Sequence, residues 1–336
     1  MLTSDEKYMQ RCLQLAAKGE YYVAPNPMVG AVLVAADGTI LGEGWHKKFG
    51  GPHAEVNAFA DYDMHGERHT CLAEATLYVS LEPCSHYGKT PPCADMIIRR
   101  GVGRVVVGCI DPNPQVATRG IRRLQDAGIE VVVGVMEKEC RELNRRFICL
   151  QEKHRPYVIL KWAQTADGFI APLPKGDGEQ PRLVLSSVLT KMVVHRMRAE
   201  NMAIMVGTNT VIFDNPKLLT THWSGRNPVR VVLDRHGRLS REMNVFSDDA
   251  QTIVYRSNTD WQYVLCDLAA RGIHSVLVEG GSLLLNHILS TGIYDELHVE
   301  VAPITIGEGV VAPKIDLPGT PSQVIDSRSL YEIRHQ

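Results

Sequence analysis

Short apolar runs alternate with helical patterns along the chain, and the alternation starts again after residue 153. The strand-like runs of the first part are VGAVLVA (29–35), TILGEGW (39–45), ATLYVSLEP (75–83), RVVVGCI (104–110) and IEVVVGV (129–135). Helices are predicted after the capping box Thr3–Glu6, from near His53, over 93–101, over 115–127 and as one long helix over 137–154. Strands that alternate with helices predict an α/β domain around a mostly parallel sheet, here with a hairpin in its first half.

A second α/β pattern begins with RPYVILKWAQTADGFIA (155–171). Its later apolar runs are AIMVG (203–207), VRVVLD (229–234), TIVY (252–255), SVLVEGG (275–281) and DELHVEVAPITIG (295–307), with helices predicted over 187–200 and 282–291. A chain of 336 residues is long enough for two domains with separate cores. We therefore predict domains at 1–152 and 153–336. The segment PLPKGDGEQP (172–181), rich in proline and glycine, predicts a mobile loop.

Charge and hydropathy exclude several classes of protein. The formal net charge is −2, so the chain has no basic excess with which to hold a nucleic acid by its backbone. Asp5 and Glu6 stand where a signal peptide would be cationic, and no apolar run reaches the length of a membrane span. The eight cysteines are scattered and predict reduced thiols. We expect a cytoplasmic protein with neither a membrane nor a nucleic-acid partner.

One histidine and two cysteines carry the clearest chemical signal. His53, Cys84 and Cys93 are ligand types that zinc prefers, and three protein ligands leave a fourth position for water, whose pKa the metal lowers. Glu55 stands two residues from His53 and is suited to act as a base. The order H-x-E followed by P-C is typical of zinc nucleobase deaminases, although eight residues separate the cysteines here. The sequence predicts a catalytic zinc site.

The cysteine-bounded loop EPCSHYGKTPPC (82–93) leaves a structural alternative open. A closed structural zinc would need a fourth ligand, for which His86 is the local candidate. Cys93, by contrast, follows two prolines and begins a predicted helix, whose N-terminus favours a thiolate. A zinc-stabilised scaffold without activity is therefore the competing hypothesis.

Several longer stretches closely resemble the bifunctional deaminase–reductase family of riboflavin biosynthesis. The deaminase half is carried by PNPMVGAVLV (25–34), GEGWH (42–46), HAEVNA (53–58), SLEPCSHYGKTPPCAD (80–95) and DPNPQVATRG (111–120). The reductase half is carried by LKWAQTADGFIA (160–171), HRMRAENMAIMVGTNTVIFDNP (195–216), PVRVVLDR (228–235), VEGGSLLLNHIL (278–289) and DELHVEVAP (295–303). The wide cysteine spacing is normal in that family. The resemblance implies a cytidine-deaminase-like α/β/α domain followed by a dihydrofolate-reductase-like α/β domain.

For the first half, the resemblance implies hydrolytic deamination of a diaminopyrimidinone that carries a ribose 5-phosphate. Zn²⁺ would be the cofactor, and Glu55 would transfer the proton. The candidate substrate contacts are Asn26, His46, His86, Lys89, Asp111 and Asn113. Lys89 is a compact cation suited to a phosphate. Asn26 offers both a donor and an acceptor to a pyrimidine edge.

For the second half, the resemblance implies reduction of the ribosyl group to a ribityl chain by NADPH. Arg198 and Glu279 would lie near the substrate, and Lys161 is a further candidate contact. The predicted cofactor contacts are Thr210, Asp214, Gly280, Gly281, Ser282, Leu283 and Leu284. A Gly-Gly turn before a helix is also, by itself, a ready site for an anion such as a phosphate.

The chain departs from that family in two places. PRLVLSS (181–187) lacks a Ser and a Trp found in many members, and NPKLLTTHW (215–223) shows no clear counterpart of the usual arginine. Two alternatives therefore stay open, namely a deaminase with an impaired reductase half and a nucleic-acid base deaminase. We further expect a homo-oligomer.

Overall fold

A computed structural model describes residues 2–65, 71–85, 91–113, 117–173 and 183–335. The chain divides into two compact units, Met1–Lys153 and His154–Gln336, and each is described by itself. None of the described helices combines the length and the apolar character that a membrane-spanning segment needs.

The described part of the first unit is a five-stranded sheet with helices on both faces. The helices are α1 (Ser4–Ala17), α2 (Ala54–Met64), α3 (Cys93–Arg100), α4 (Arg119–Asp126), α5 (Glu137–Leu143) and α6 (Arg145–Lys153). The strands are β1 (Gly30–Val34), β2 (Ile40–Trp45), β3 (Thr76–Leu81), β4 (Arg104–Cys109) and β5 (Glu130–Val133), in the order β2-β1-β3-β4-β5. β1 is antiparallel to β2 and β3, whereas β3, β4 and β5 are parallel. The sheet is therefore mixed rather than mostly parallel.

Alternating side chains of the strands build a core on each face of this sheet. On one face Leu33 and Val105 pack with residues of α2 and α3 such as Ala58 and Ile97. On the other face Val32 and its neighbours pack against α1 and the start of α5. Because both faces are covered, the inner strands β1, β3 and β4 are buried almost throughout, whereas the edge strand β5 is partly exposed. This α/β/α arrangement is the one predicted for the first domain.

Two helix predictions need correction. The helix expected over 137–154 is two helices, interrupted at Asn144, which has φ −101° and ψ 17°. The buried side chain of Asn144 accepts a hydrogen bond from the Met28 N–H and donates one to the Met28 carbonyl oxygen, each at 2.8 Å. The helix expected over 115–127 begins only at Arg119, because Thr118 has the left-handed φ of 64°. Residues 114–116 lie outside the described ranges.

The described part of the second unit is built on an eight-stranded sheet. Its helices are α7 (Val188–Glu200), α8 (Thr208–Asp214), α9 (Trp261–Ala270) and α10 (Ser282–Thr291). Its strands are β6 (Tyr157–Thr165), β7 (Phe169–Ala171), β8 (Ala203–Gly207), β9 (Val229–Leu233), β10 (Thr252–Tyr255), β11 (Ser275–Val278), β12 (Glu296–Ala302), β13 (Val310–Val311), β14 (Gln323–Ile325) and β15 (Arg328–Arg334). The order is β10-β9-β8-β11-β6-β12-β15-β14, and β7 pairs separately with β13.

In sheet order, the six strands β10, β9, β8, β11, β6 and β12 are parallel to one another. The last two strands, β15 and β14, pair antiparallel at the edge. The crossover helices α7 and α10 were predicted within a residue of their observed bounds. Helices α8 and α9 and the antiparallel edge were not predicted from the sequence. Helix α8 has only seven residues, and β15 is only partly buried. Most of the predicted loop 172–181 lies outside the described residues.

Candidate active sites

His53, Cys84 and Cys93 meet at the carboxyl edge of the first sheet. His53 is the residue before α2, Cys84 follows β3, and Cys93 is the first residue of α3. His53 Nδ1 lies 3.5 Å from Cys84 Sγ and 3.4 Å from Cys93 Sγ. The ligands of a tetrahedral zinc stand roughly 3.5 Å apart, since Zn–N and Zn–S bonds measure about 2.0–2.3 Å. The donor set and its spacing therefore fit zinc.

Hydrogen bonds already favour a thiolate in this cluster. The backbone N–H of Cys93 donates to Cys84 Sγ at 3.3 Å. The thiol of Cys93, together with His53, lowers the pKa of Cys84, and the same pairing raises the pKa of Cys93. The bond to Cys84 also raises the pKa of His53. These contacts favour the thiolate form of Cys84, which is the form in which cysteine binds zinc.

Glu55 lies in the first turn of α2 and is only 3% exposed. Burial, followed by the nearby charge of Cys84, raises the pKa of Glu55 to about 7. A carboxyl group with that pKa both accepts and releases a proton near neutral pH, as a general acid–base catalyst must. The helix that carries His53 thus also carries a proton carrier beside the metal ligands.

Asn26 and His46, both predicted substrate contacts, lie close to the zinc ligand His53. Asn26 Nδ2 lies 3.0 Å from His46 Nε2, and His46 Nδ1 lies 3.0 Å from the carbonyl oxygen of Pro52. Since that carbonyl only accepts, His46 Nδ1 is the donor and His46 Nε2 accepts from the Asn26 amide. The His46 and His53 rings are 5.6 Å apart. The side-chain oxygen of Asn26 is therefore not used by His46.

The remaining deaminase candidates fall into two groups. Asp111 and Asn113 follow β4, and the Asn113 N–H donates to Asp111 Oδ1 at 2.9 Å. They occupy the carboxyl end of the strand next to β3, where open α/β sheets bind ligands. His86 and Lys89 lie in 86–90, outside the described residues.

Sequence reasoning missed two supporting residues in this unit. Asn144 fixes Met28, two residues from Asn26, and nothing in its local sequence signalled this contact. Glu82 lies at the end of an apolar strand and is 4% exposed. An acidic residue in that position is the same signal that singled out Glu279, so it could have been found.

Arg198 and Glu279 meet in the second unit. Arg198 Nε and Nη2 donate to the two carboxylate oxygens of Glu279 at 2.9 and 2.7 Å, and Arg198 Nη1 donates to the Leu219 carbonyl at 3.1 Å. Burial disfavours the charge of Glu279, but Arg198 outweighs it and the pKa of Glu279 is lowered. Burial and the same arginine lower the pKa of His195 to about 4. The site therefore holds an ionised pair beside a neutral imidazole.

The predicted cofactor residues gather where α8 and α10 begin. Gly281 is the residue before α10, and a Cβ there would lie 3.6 Å from Thr210 Oγ1 in the first turn of α8. A Cβ on Gly280 would approach the end of the Leu284 side chain to 2.9 Å, so this glycine packs closely against α10. Ser282 donates its hydroxyl to the Val311 carbonyl at 2.6 Å, and Leu283 is 81% exposed.

Asp214 lies four residues after Thr210 on α8, one turn further along the same face of the helix. Asp214 ends α8, about 9 Å along the helix from its first residue at the usual rise per residue. The other predicted cofactor contacts surround two helix N-termini, which favour phosphate groups.

Comparison with known proteins assigns each of the two units to a family. Residues 2–109 match the family model of the cytidine and deoxycytidylate deaminase zinc-binding region, and residues 156–329 match that of the RibD C-terminal domain. The riboflavin biosynthesis protein RibD of Aquifex aeolicus is 40% identical over 328 residues, which cover 91% of this chain and 89% of the relative. The chain belongs to the RibD family. RibD of Escherichia coli is 37% identical over 338 residues, 90% of this chain and 89% of that protein.

Solved RibD structures have the same architecture. The Thermotoga maritima diaminohydroxyphosphoribosylaminopyrimidine deaminase/5-amino-6-(5-phosphoribosylamino)uracil reductase superposes with a TM-score of 0.86 at 39% identity, covering 99% of each chain. Acinetobacter baumannii RibD gives a TM-score of 0.86 at 32% identity and the same coverage. The predicted family and the two predicted α/β folds are thus confirmed, together with zinc and NADPH as cofactors. The chain is a bifunctional deaminase and reductase.

Proposed function

We propose that the unit 1–153 removes an amino group from 2,5-diamino-6-ribosylamino-4(3H)-pyrimidinone 5′-phosphate, and that the unit 154–336 then reduces 5-amino-6-(5-phosphoribosylamino)uracil. The reduction converts the ribosyl group to a ribityl chain. The single observation that carries the proposal is the zinc-type cluster of His53, Cys84 and Cys93 with the buried Glu55 beside it. The Thermotoga maritima relative is named for the same two activities.

Deamination exchanges an amino group for the oxygen of water and releases ammonia. Bound zinc would lower the pKa of the attacking water. Glu55 accepts a proton as the oxygen attacks the ring carbon and returns it to the departing amino group. Its pKa of about 7, raised by burial, suits both transfers.

Substrate binding in the first unit is assigned to residues around that carboxyl group. Asn26 presents its side-chain oxygen to the pyrimidine edge, because His46 engages its amide nitrogen. Asp111 and Asn113 approach from the end of β4. Lys89 and His86 are proposed to hold the phosphate. Lys89→Ala should raise KM at least tenfold and leave the zinc content at one per chain, and an unchanged KM would contradict the assignment.

In the second unit, NADPH supplies the hydride for the ribosyl carbon. Thr210 and the segment 280–284 would hold the dinucleotide at the two helix N-termini, where backbone N–H groups face a phosphate. Arg198 and Glu279 would orient the substrate. Asp214 remains a proposed cofactor contact, since it follows Thr210 by one turn on the same face of α8.

A coupled assay tests both reactions in one experiment. The purified chain is given the diaminopyrimidinone phosphate with and without NADPH, and ammonia and nicotinamide absorbance are followed. Ammonia release in both samples, with NADPH oxidation only after deamination, is the expected result. No ammonia would refute the deaminase assignment. No oxidation with excess enzyme and deaminated substrate would instead show an impaired reductase.

We also propose that the enzyme is a cytoplasmic homo-oligomer. The reduced cysteines and the absence of a membrane-spanning helix among the described residues support this location. Sedimentation analysis of the purified chain tests the oligomer, and a single monomeric species would contradict it.

A further inference from the structure

The carboxylate of Glu82 accepts hydrogen bonds from four backbone N–H groups in the segment that follows β4. Its Oε2 accepts from Asp111 at 3.3 Å and from Thr118 at 3.0 Å. Its Oε1 accepts from Gly120 at 3.0 Å and from Ile121 at 3.4 Å. An ionised carboxylate has about four acceptor positions, so the side chain is fully used.

Part of this contact replaces a missing helix cap. Helix α4 begins at Arg119, and the preceding Thr118 is left-handed and makes no side-chain cap bond. The first N–H groups of a helix have no partner within the helix and favour a negative charge. The Glu82 carboxylate, at the end of the neighbouring strand β3, accepts hydrogen bonds from two of these groups, the N–H of Gly120 and the N–H of Ile121.

Glu82 also stands two residues before the zinc ligand Cys84. A Cβ on Gly120 would lie 2.1 Å from the Pro83 carbonyl oxygen, so the backbone of α4 packs directly on the residue between Glu82 and Cys84. The Glu82 N–H donates to the Cys109 carbonyl at 3.0 Å. The backbone of Glu82 thus ties the end of β3 to the end of β4, and its side chain ties it to the segment that begins with Asp111.

We propose that Glu82 is a positioning residue for deamination, which holds the Asp111–Asn113 turn at a fixed distance from the zinc ligand Cys84. The four hydrogen bonds described above for the carboxylate all come from backbone N–H groups. The carboxylate acts through the backbone on which Asp111 and Asn113 stand. This inference rests on the proposed function, in which those two residues contact the pyrimidine nucleotide.

Glu82→Gln is the direct test. An amide keeps one acceptor oxygen but turns an N–H₂ group toward two of the four N–H donors. We expect KM for the diaminopyrimidinone phosphate to rise about tenfold, from the loss of hydrogen bonds to a charged group. We expect kcat to stay within about threefold and zinc to remain at one per chain. The rate of NADPH oxidation with the deaminated substrate should equal that of the wild type.

Thr3→Ala is the matched control, because it removes another helix cap of the same unit, the bond from the Glu6 N–H at 3.2 Å. It should lower the melting temperature and leave KM unchanged. Gly120→Ala probes the same contact without altering a charge and should also raise KM. A wild-type KM in zinc-loaded Glu82→Gln would overturn the proposal. So would loss of zinc in both Glu82→Gln and Gly120→Ala, which would make the contact a support of the metal site alone.

The wild-type chain separates this inference from the function on which it rests. If the wild type releases no ammonia from the diaminopyrimidinone phosphate, the proposed function fails. If the wild type is active and Glu82→Gln has the same KM, only the role of Glu82 fails.

Discussion

Arg198 and Glu279 form a two-point ion pair, with N–O distances of 2.9 and 2.7 Å and side chains 15% and 13% exposed. The pair joins α7 to the end of β11, immediately before the Gly280–Gly281 turn. A planar guanidinium that engages both oxygens fixes the orientation of the carboxylate as well as its charge. Glu279 is therefore held rigidly beside the proposed cofactor cleft.

Glu279→Gln should impair the reductase and spare the deaminase. One of the two charge-assisted bonds is lost, and Arg198 keeps a buried charge without its partner. We expect kcat/KM for NADPH oxidation to fall about 100-fold, the scale for loss of one oriented polar group in an active site. Asp267→Asn, which breaks the exposed pair with Arg271, is the control and should change little. Equal reductase activity in both variants would remove Glu279 from the site.

Glu55→Gln should abolish ammonia release without releasing the metal. Glutamine fills the same space in α2 but cannot carry the proton, so we expect kcat to fall by about 10²–10⁴-fold. Zinc is measured by metal analysis and folding by circular dichroism. Asp63→Asn lies on the same helix in an exposed pair with Arg100 and should keep full activity. Retained ammonia release in Glu55→Gln would assign the proton transfer elsewhere.

Cys93→Ser should remove zinc and separate the two activities. A serine hydroxyl is a poor zinc ligand, and only His53 and Cys84 would remain of the cluster. We expect deamination to be lost, whereas NADPH oxidation with the deaminated substrate should persist. The exposed Cys71 provides the control, since Cys71→Ser should bind one zinc per chain. Full activity with retained zinc in Cys93→Ser would refute the site.

Stability of the first unit should depend on pH through Asp5. Arg104 donates two hydrogen bonds to its carboxylate, at 3.0 and 2.8 Å, and Tyr78 donates a third at 2.8 Å. Arg104, opposed by burial and helped by Tyr78, lowers the pKa of Asp5 below its usual 3.8. The folded chain therefore binds this proton less readily than the unfolded chain. The resulting stabilisation is complete above about pH 4 and is lost as pH falls through the lowered pKa.

Asp5→Asn should consequently lower the free energy of unfolding by about 1 kcal/mol at pH 7, since the pair is partly exposed. The difference from the wild type should shrink below pH 4. Urea unfolding at several pH values measures both effects. Glu74→Gln changes an exposed carboxylate and should show no such pattern. A difference that stays constant down to pH 3 would contradict the ionisation of Asp5 as its cause.

The local hydrophobic pattern of the sequence predicted the strongly periodic helices and strands. It failed where a contact with a residue far away in the chain determines where a helix begins. The helix 282–291 was found to the residue, because a Gly-Gly turn and a closing glycine mark both its ends. Thr118, in contrast, looked like part of a longer helix. The backbone there is left-handed, and the N–H groups that follow it are satisfied by Glu82, which lies 36 residues away in the chain. No local signal announces such a bond.

The site residues also divide into those that the local sequence predicts and those whose position depends on tertiary packing. His53, Glu55, Cys84 and Cys93 were predicted because their residue types and order are chemically specific. Arg198 was a much weaker candidate, since a helical arginine is usually solvated, and its meeting with Glu279 depends on the packing of α7 on the sheet. Asp214 stays a prediction, because it lies one turn after Thr210 on α8, a helix that was not predicted from the sequence.

The bonds between Asn144 and Met28 bear on how this deaminase could be excised as a portable module. A fragment ending at Cys109, where the match to the zinc-binding region stops, would contain the three ligands and Glu55. It would lack Asn144, which secures the turn that carries Asn26. A gene fusion or minimal catalyst should therefore extend to Lys153, where the compact unit ends. The compact unit ends 44 residues beyond the last residue that the zinc-binding family model matches (109 to 153).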